Sequence, residues 1–238
     1  MTTAPRGLAH ILVAMLTLLT LGAIALSLWS APPVDEQQLH IAASATMAAS
    51  GFILTDTNSV TSIAPAPAGG PKQLPRTAVV HVLYGAPDAV EESEPGPSGQ
   101  TISVIVIGAR RFRSSGAQWT ELPASPGLGV QAASTILSPL KAAAGASAVT
   151  RHGDVYSFVP VNVEQFITTV LGVSPSRLSS PRLTAVVHGD YLTDERITAV
   201  LGQQRLGVDL VFSAIGSAPP VTAPPLVPSA GTGGTRAP

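Results

Sequence analysis

The chain has no cysteine in its 238 residues. That excludes a disulfide scaffold, thiolate zinc sites and a thiol nucleophile. It also excludes a lipid attached to an N-terminal cysteine. Aromatic residues are scarce, with five Phe, three Tyr and two Trp. Charged residues make up 11%, under half the roughly 25% of an average soluble domain. The formal net charge is -1, which lacks the basic excess of a nucleic-acid binder. Catalytic signatures are missing too. There is no G-x-S-x-G, no S-x-x-K with its companions and no H-E-x-x-H. Gly127-Leu128-Gly129 lacks the rest of a dinucleotide fingerprint. The reading is therefore of a protein that is not an enzyme and has no cofactor or metal.

What is present begins with a long apolar run. Residues 8–29, from Leu8 to Trp29, contain no Asp, Glu, Lys or Arg. At about 1.5 Å per residue a helix of this length crosses a hydrocarbon core of roughly 30 Å. Trp29 sits where an interfacial aromatic belongs, Arg6 precedes the run, and Asp35 and Glu36 follow it. The positive-inside rule puts the N-terminus in the cytoplasm and the remainder outside. A signal-peptide core is usually shorter, and Pro32-Pro33 after Ser30-Ala31 disfavours cleavage. The segment reads as a retained single-pass anchor in the cell membrane. The alternative is a cleaved signal and a secreted protein.

Residues 35–50 read as a helix with Asp35 and Glu36 in its first turn, where the helix dipole favours acids. Residues 52–63, 77–84, 101–107, 119–122, 155–159, 182–188, 196–201 and 205–212 read as strands. Residues 108–115 turn the 101–107 strand into Arg110-Arg111-Phe112-Arg113, an exposed hairpin with Phe112 turned inward. Residues 64–75 are a Pro/Gly turn region, and 91–99 an acidic, turn-rich loop. Residues 130–144 and 163–171 place apolar side chains at helical spacing. In 205–212, Leu206, Val208, Leu210 and Phe212 face one way, and the other face is mostly polar. His152-Gly153-Asp154 and His188-Gly189-Asp190 are turn sequences. His40 and His81 lie in apolar contexts and read as core or cavity residues. From residue 217 the Pro/Gly-rich composition cannot pack a core and reads as disordered. The chain thus divides into 1–34, a cytoplasmic N-terminus with the anchor or signal segment, a domain over 35–216 and a tail over 217–238. The element order is α+β, one antiparallel sheet with helices gathered on one face.

Aliphatic residues dominate the strands. They can fill an ordinary core or line a cavity for an aliphatic ligand. Candidates for such a lining are Ile105 and Ile107, the strand residues Leu206, Val208, Leu210 and Phe212, and the helix residues Ile136, Leu137, Leu140 and Phe166. The basic cluster of Arg110, Arg111 and Arg113 offers a contact to an anionic headgroup or a protein partner.

Motif order then becomes informative. Tyr84-Gly85-Ala86-Pro87-Asp88 is followed by Ile105-Val106-Ile107-Gly108, Arg111-Phe112 and Trp119-Thr120-Glu121-Leu122-Pro123. Val221-Thr222-Ala223-Pro224-Pro225 closes the series. Over roughly residues 35–226 this resembles the bacterial LolA-like lipid carriers, more narrowly the LppX/LprG lipoprotein group. The resemblance implies an antiparallel half-barrel sheet wrapped over helices with a hydrophobic cavity between them. It implies non-enzymatic binding and transfer of acylated lipids or glycolipids in the cell envelope. The departure is the cysteine that members of that group carry lipidated after the signal peptide, which this chain lacks. Tethering then falls to residues 8–29. A rival reading is a membrane-anchored extracytoplasmic sensor or interaction domain of the same fold, with an envelope protein as partner.

Overall fold

A computed structural model of the chain describes residues 34–63, 76–96, 98–115, 117–160, 166, 168, 174 and 178–226. The apolar segment 8–29 and the turn region 64–75 lie outside the described residues. So do residues 163–171, apart from Phe166 and Thr168, whose backbone is helical. Among the described residues no helix is long and apolar enough to cross a membrane.

Among the described residues, eleven strands form one open antiparallel sheet. They are β1 (Gly51–Ser62), β2 (Arg76–Gly85), β3 (Ala89–Pro95), β4 (Thr101–Ile107), β5 (Arg110–Ser115), β6 (Gln118–Leu122), β7 (Ser147–His152), β8 (Val155–Val159), β9 (Leu178–His188), β10 (Tyr191–Leu201) and β11 (Gln204–Ser213). The spatial order is β6-β5-β4-β3-β2-β1-β11-β10-β9-β8-β7. Two meanders therefore meet where β1 pairs with β11, from Ile53 opposite Ser213 to Ser62 opposite Gln204. Both His-Gly-Asp sequences are two-residue hairpin turns, with His152 opposite Val155 and His188 opposite Tyr191. Gly153 and Gly189 take positive φ there, a conformation that side chains disfavour and hairpin twist requires.

The acidic stretch 91–99, expected as a loop, contains most of β3. Its Glu-rich composition resists strand propensity, but β3 lies between β2 and β4 and pairs with both. Backbone pairing on two sides outweighs the weak local preference. Residues 147–152, left without an element by sequence, form β7 as an edge strand with a register shift between Ser147 and Thr150.

Three helices are described: α1 (Val34–Ala48), α2 (Leu128–Ile136) and α3 (Ser138–Ala144). The single helix expected over 130–144 is two. Pro139 has no N–H to continue the ladder, and its ring obstructs the preceding turn. Leu137 ends α2 by donating to the Ala133 carbonyl (2.9 Å) and starts α3 by accepting from Lys141 N–H (2.9 Å).

In α1, Leu39, Ala42, Ala43 and Thr46 are buried, a stripe at i, i+3, i+4 and i+7. Thr46 fastens this stripe to β10. Its hydroxyl oxygen accepts from Leu192 N–H at 3.0 Å, and Ala42 and Leu192 carbonyls stand 3.0 and 3.3 Å away as acceptors. His40 is half-buried, its Nε2 donating to the Ala146 carbonyl at 2.9 Å. His81, by contrast, is exposed. It stands between Val80 and Val82, which face the helices, so alternation turns it to the other face of the sheet.

Candidate functional site

Register divides the sheet into two faces. Phe52, Tyr84, Val90, Val106, Arg111 and Leu122 stand opposite one another across β1 to β6. On the other side of β1, Leu54, Asp56, Asn58 and Val60 stand opposite Phe212, Leu210, Val208 and Leu206. This face carries the core shared with the helices, in which Phe52, Leu54, Tyr84 and Phe212 join Leu39, Ala133, Ile136 and Leu140. The Phe52 and Tyr84 rings lie 4.8 Å apart, and Phe52 meets Phe212 edge-on at 5.4 Å.

The helix-bearing face is not covered evenly. Its Phe52–Leu54–Phe212 end is fully buried. Further along the same strands, Val60, Val80, Ile102, Val104, Leu122 and Leu206 are only half-buried. They share that face with the buried residues, but Asp56 and Asn58 on β1, Glu92 and Glu94 on β3 and Arg111 and Arg113 on β5 stand among them. A depression of about 380 Å³ opens at the β6 edge between Ile102, Arg113, Thr120 and Leu122. A second, of about 390 Å³, lies beside α1 between Val34, Gln37, Ile41, Val187 and Asp190.

The structure brings Ile136, Leu140, Phe166, Val208, Leu210 and Phe212 into one buried cluster, with Leu137 packed against it. Leu206 stands on the same face in its half-buried part. Ile105 and Ile107 do not join them. Ile105 pairs with Glu91 and Phe112, one position out of phase with Val106, so both isoleucines belong to the opposite face. Phe112 is fully buried on that opposite face, under the Arg110 guanidinium at 4.8 Å. Its expected inward turn holds for burial, but strand alternation points it away from the helices. Arg110 is bound to Glu121 at 2.8 Å, whereas Arg111 and Arg113 share the helix-bearing face with Val104 and Val106.

Several acids stand on this face as well. Burial raises the Asp56 carboxyl above its ordinary value, against a hydrogen bond from Asn58 Nδ2 at 2.9 Å. Burial also raises Glu92, with help from Glu94 and Asp56 and against the pull of Arg111.

Glu195 is the residue that sequence reading missed. It is 1% exposed, and neither carboxylate oxygen has a hydrogen-bond partner. A β-bulge puts it there. Leu192 pairs with Val187 but Asp194 with Val186, so Thr193 is an extra residue. Without it, alternation would send Glu195 to the outer face. The expected strand began at Arg196, five residues after the start of β10 and one past Glu195. The spacing of Glu195 with Ile197 and Ala199 was the available signal.

Among the described residues no group of three or more His, Asp or Glu could hold a metal ion. What the face offers chemically is a large apolar surface interrupted by a few polar groups, an arrangement suited to binding.

An open antiparallel sheet with helices on one face is a fold that this chain shares with a solved structure. LprF from Mycobacterium bovis superposes with a TM-score of 0.51 at 13% identity, covering 81% of this chain and 97% of that one. The lipoprotein LppX of Mycobacterium tuberculosis gives 0.47 at 14% identity, with 81% and 100% covered. A LolA superfamily protein from Nitrosomonas europaea gives 0.32 at 9%, with 80% and 94% covered. At such identities the likeness is one of fold. No protein-family model and no curated protein matches the chain.

Proposed function

We propose that the protein binds acylated lipids or glycolipids between its sheet and helices, without catalysing a reaction, and carries them in the bacterial cell envelope. In this reading residues 1–34 hold it at the membrane, 35–216 form the lipid-binding domain and 217–238 are a tail. The observation that carries the reading is that the apolar side chains Val60, Val80, Ile102, Val104, Leu122 and Leu206 stand half-buried on the same face as the buried core, with Val80 packed against it. A filled core would cover these side chains. An acyl chain covers them equally well and gains about 0.8 kcal/mol per CH₂, on the order of 10 kcal/mol gross for sixteen carbons. That is comparable to the 4–15 kcal/mol that association costs, so a partly preformed surface matters. The fold shared with LprF supports the same reading.

The test is photocrosslinking in vesicles that contain the full chain and a lipid with a photoreactive acyl tail. Adducts are expected on peptides that carry Val80, Val104 and Leu206. Adducts confined to residues 8–29 would show a protein that merely sits in the bilayer, and would overturn the proposal.

A further inference from the structure

Glu195 does not stand alone. Tyr156 on β8 and Glu195 on β10 both stand opposite Ala185 on β9. The three side chains form a row across adjacent strands, large, small and large. Two strand spacings separate the outer pair, so their backbones lie roughly 10 Å apart. The short side chain of Ala185 separates the two long ones, and all three are buried. The Tyr156 hydroxyl, like both Glu195 oxygens, is buried without a hydrogen-bond partner. Buried polar atoms left unpaired are rare and costly in proteins. Three of them beside one small residue mark a place built for a polar visitor.

We propose that Glu195 and Tyr156 form a polar subsite that hydrogen-bonds the ester carbonyl of the bound acyl lipid. The inference rests on the lipid-binding reading above and adds the recognition chemistry to it. Burial pushes the Glu195 carboxyl up to about 8. At neutral pH it is therefore an uncharged acid with an O–H to donate. The Tyr156 phenol is the second donor, and burial raises it too, against the lowering effect of Arg151. Two neutral donors in an apolar setting match a carbonyl acceptor. A phosphate would bring uncompensated charge beside a carboxyl, and a single carboxylate is a poor cage for a metal ion. Beyond Tyr156 the row continues onto β7, where the Arg151 guanidinium lies 5.2 Å over the Tyr156 ring and donates to Gln38 of α1 at 2.8 Å.

The experiment compares photoreactive ester-linked and ether-linked lipids of equal chain length, each in vesicles with the full chain. The ether lacks the carbonyl. Wild type is expected to label with the ester roughly three- to tenfold more efficiently, the worth of about one hydrogen bond. Glu195→Leu should abolish that preference, Tyr156→Phe should reduce it, and Glu195→Gln, which keeps a neutral donor, should retain it. Glu195→Leu should also melt no lower than wild type, since it removes an unpaired buried carboxyl. If it fails to fold, the Tyr156→Phe and Glu195→Gln pair decides the question. Equal labelling of wild type by both lipids, or an ester preference untouched in Glu195→Leu, would overturn the subsite while leaving lipid binding intact. Labelling of the sheet by neither lipid would instead overturn the lipid-binding reading.

Discussion

A carboxyl group buried without a partner makes folding sensitive to pH, and Glu195 sets the direction. Its ordinary value is 4.5 and burial lifts it to about 8. Between those limits the folded protein keeps a proton that the unfolded chain has released. Stability therefore falls as pH rises from about 4.5, and levels off above about 8. The titratable groups that share the face include Tyr156 on β8, Arg151 on β7, Asp56 on β1 and His40 on α1, and farther along Glu92 on β3 and Arg111 and Arg113 on β5. Asp56 and Glu92 are also raised by burial and act in the same direction. The full-length protein should melt several degrees lower at pH 8.5 than at pH 5.5, a loss of a few kcal/mol. Glu195→Gln should remove most of that slope, because glutamine does not titrate. Circular dichroism melts across the range measure it, and an equal slope in the variant would assign the effect to other acids.

Elements meet most tightly at Gly129. It opens α2 and donates its N–H to the Gly108 carbonyl at 2.7 Å, while Gly108 N–H reaches Asp88 at 3.2 Å. A Cβ on Gly129 would stand 2.3 Å from the Asp88 carbonyl oxygen and 2.8 Å from that of Gly108. These are backbone atoms of the β2–β3 and β4–β5 turns and cannot swing aside. Gly129→Ala should therefore cost about 2 kcal/mol or more despite the better helix propensity of alanine. A denaturant melt checks this, and a neutral or stabilising result would mean that α2 docks more loosely than its hydrogen bonds indicate. The sequence showed Gly127-Leu128-Gly129 only as a failed cofactor motif, since close approach of three segments leaves no local trace. Legibility elsewhere followed the same division. The alternation of Leu206, Val208, Leu210 and Phe212 announced a half-wet strand, and the His-Gly-Asp sequences announced turns, because both are local patterns. The β3 strand was hidden by its own glutamates, which are tolerated where the face is only half-covered. The bulge at Thr193 was hidden because nothing in Leu192-Thr193-Asp194-Glu195 favours one extra residue over none. So the fold could be read from its turns and periodicities, while the polar part of the site depended on a register shift that only pairing reveals.

At the scale of the molecule, the two faces of the sheet differ in what they can bind. The outer face around β10 and β11 is polar, with Arg196 paired to Asp209 beside Thr57 and Thr184. Val211 lies there, 43% exposed. The helix-bearing face carries apolar side chains from the Phe52 cluster out to Val80 and Leu206, with Asp56 and Asn58 among them on β1, and its outer half is incompletely covered. Residues 217–226 run along the sheet end without regular structure, Ala218 close to Gly51 and Val221 close to Gly85. A lipid that binds the folded chain on the helix-bearing face must stabilise it by mass action. At a hundred times its dissociation constant the gain is about 2.7 kcal/mol, which for a domain of this size is a rise of roughly 5–10 °C in Tm. The shift should follow the face. Val80→Asn and Leu206→Asn should each diminish it, because they put an amide where the acyl chain lies. Val211→Asn, on the opposite face, should leave it unchanged. Because all three side chains are at least partly exposed, none of the substitutions should cost much stability in the absence of lipid, so the three proteins can be compared at similar starting Tm. Equal shifts in all three would place the lipid away from the sheet, most simply on the apolar segment at residues 8–29. A shift lost in Val211→Asn alone would assign binding to the polar face, and the apolar surface would then need another occupant.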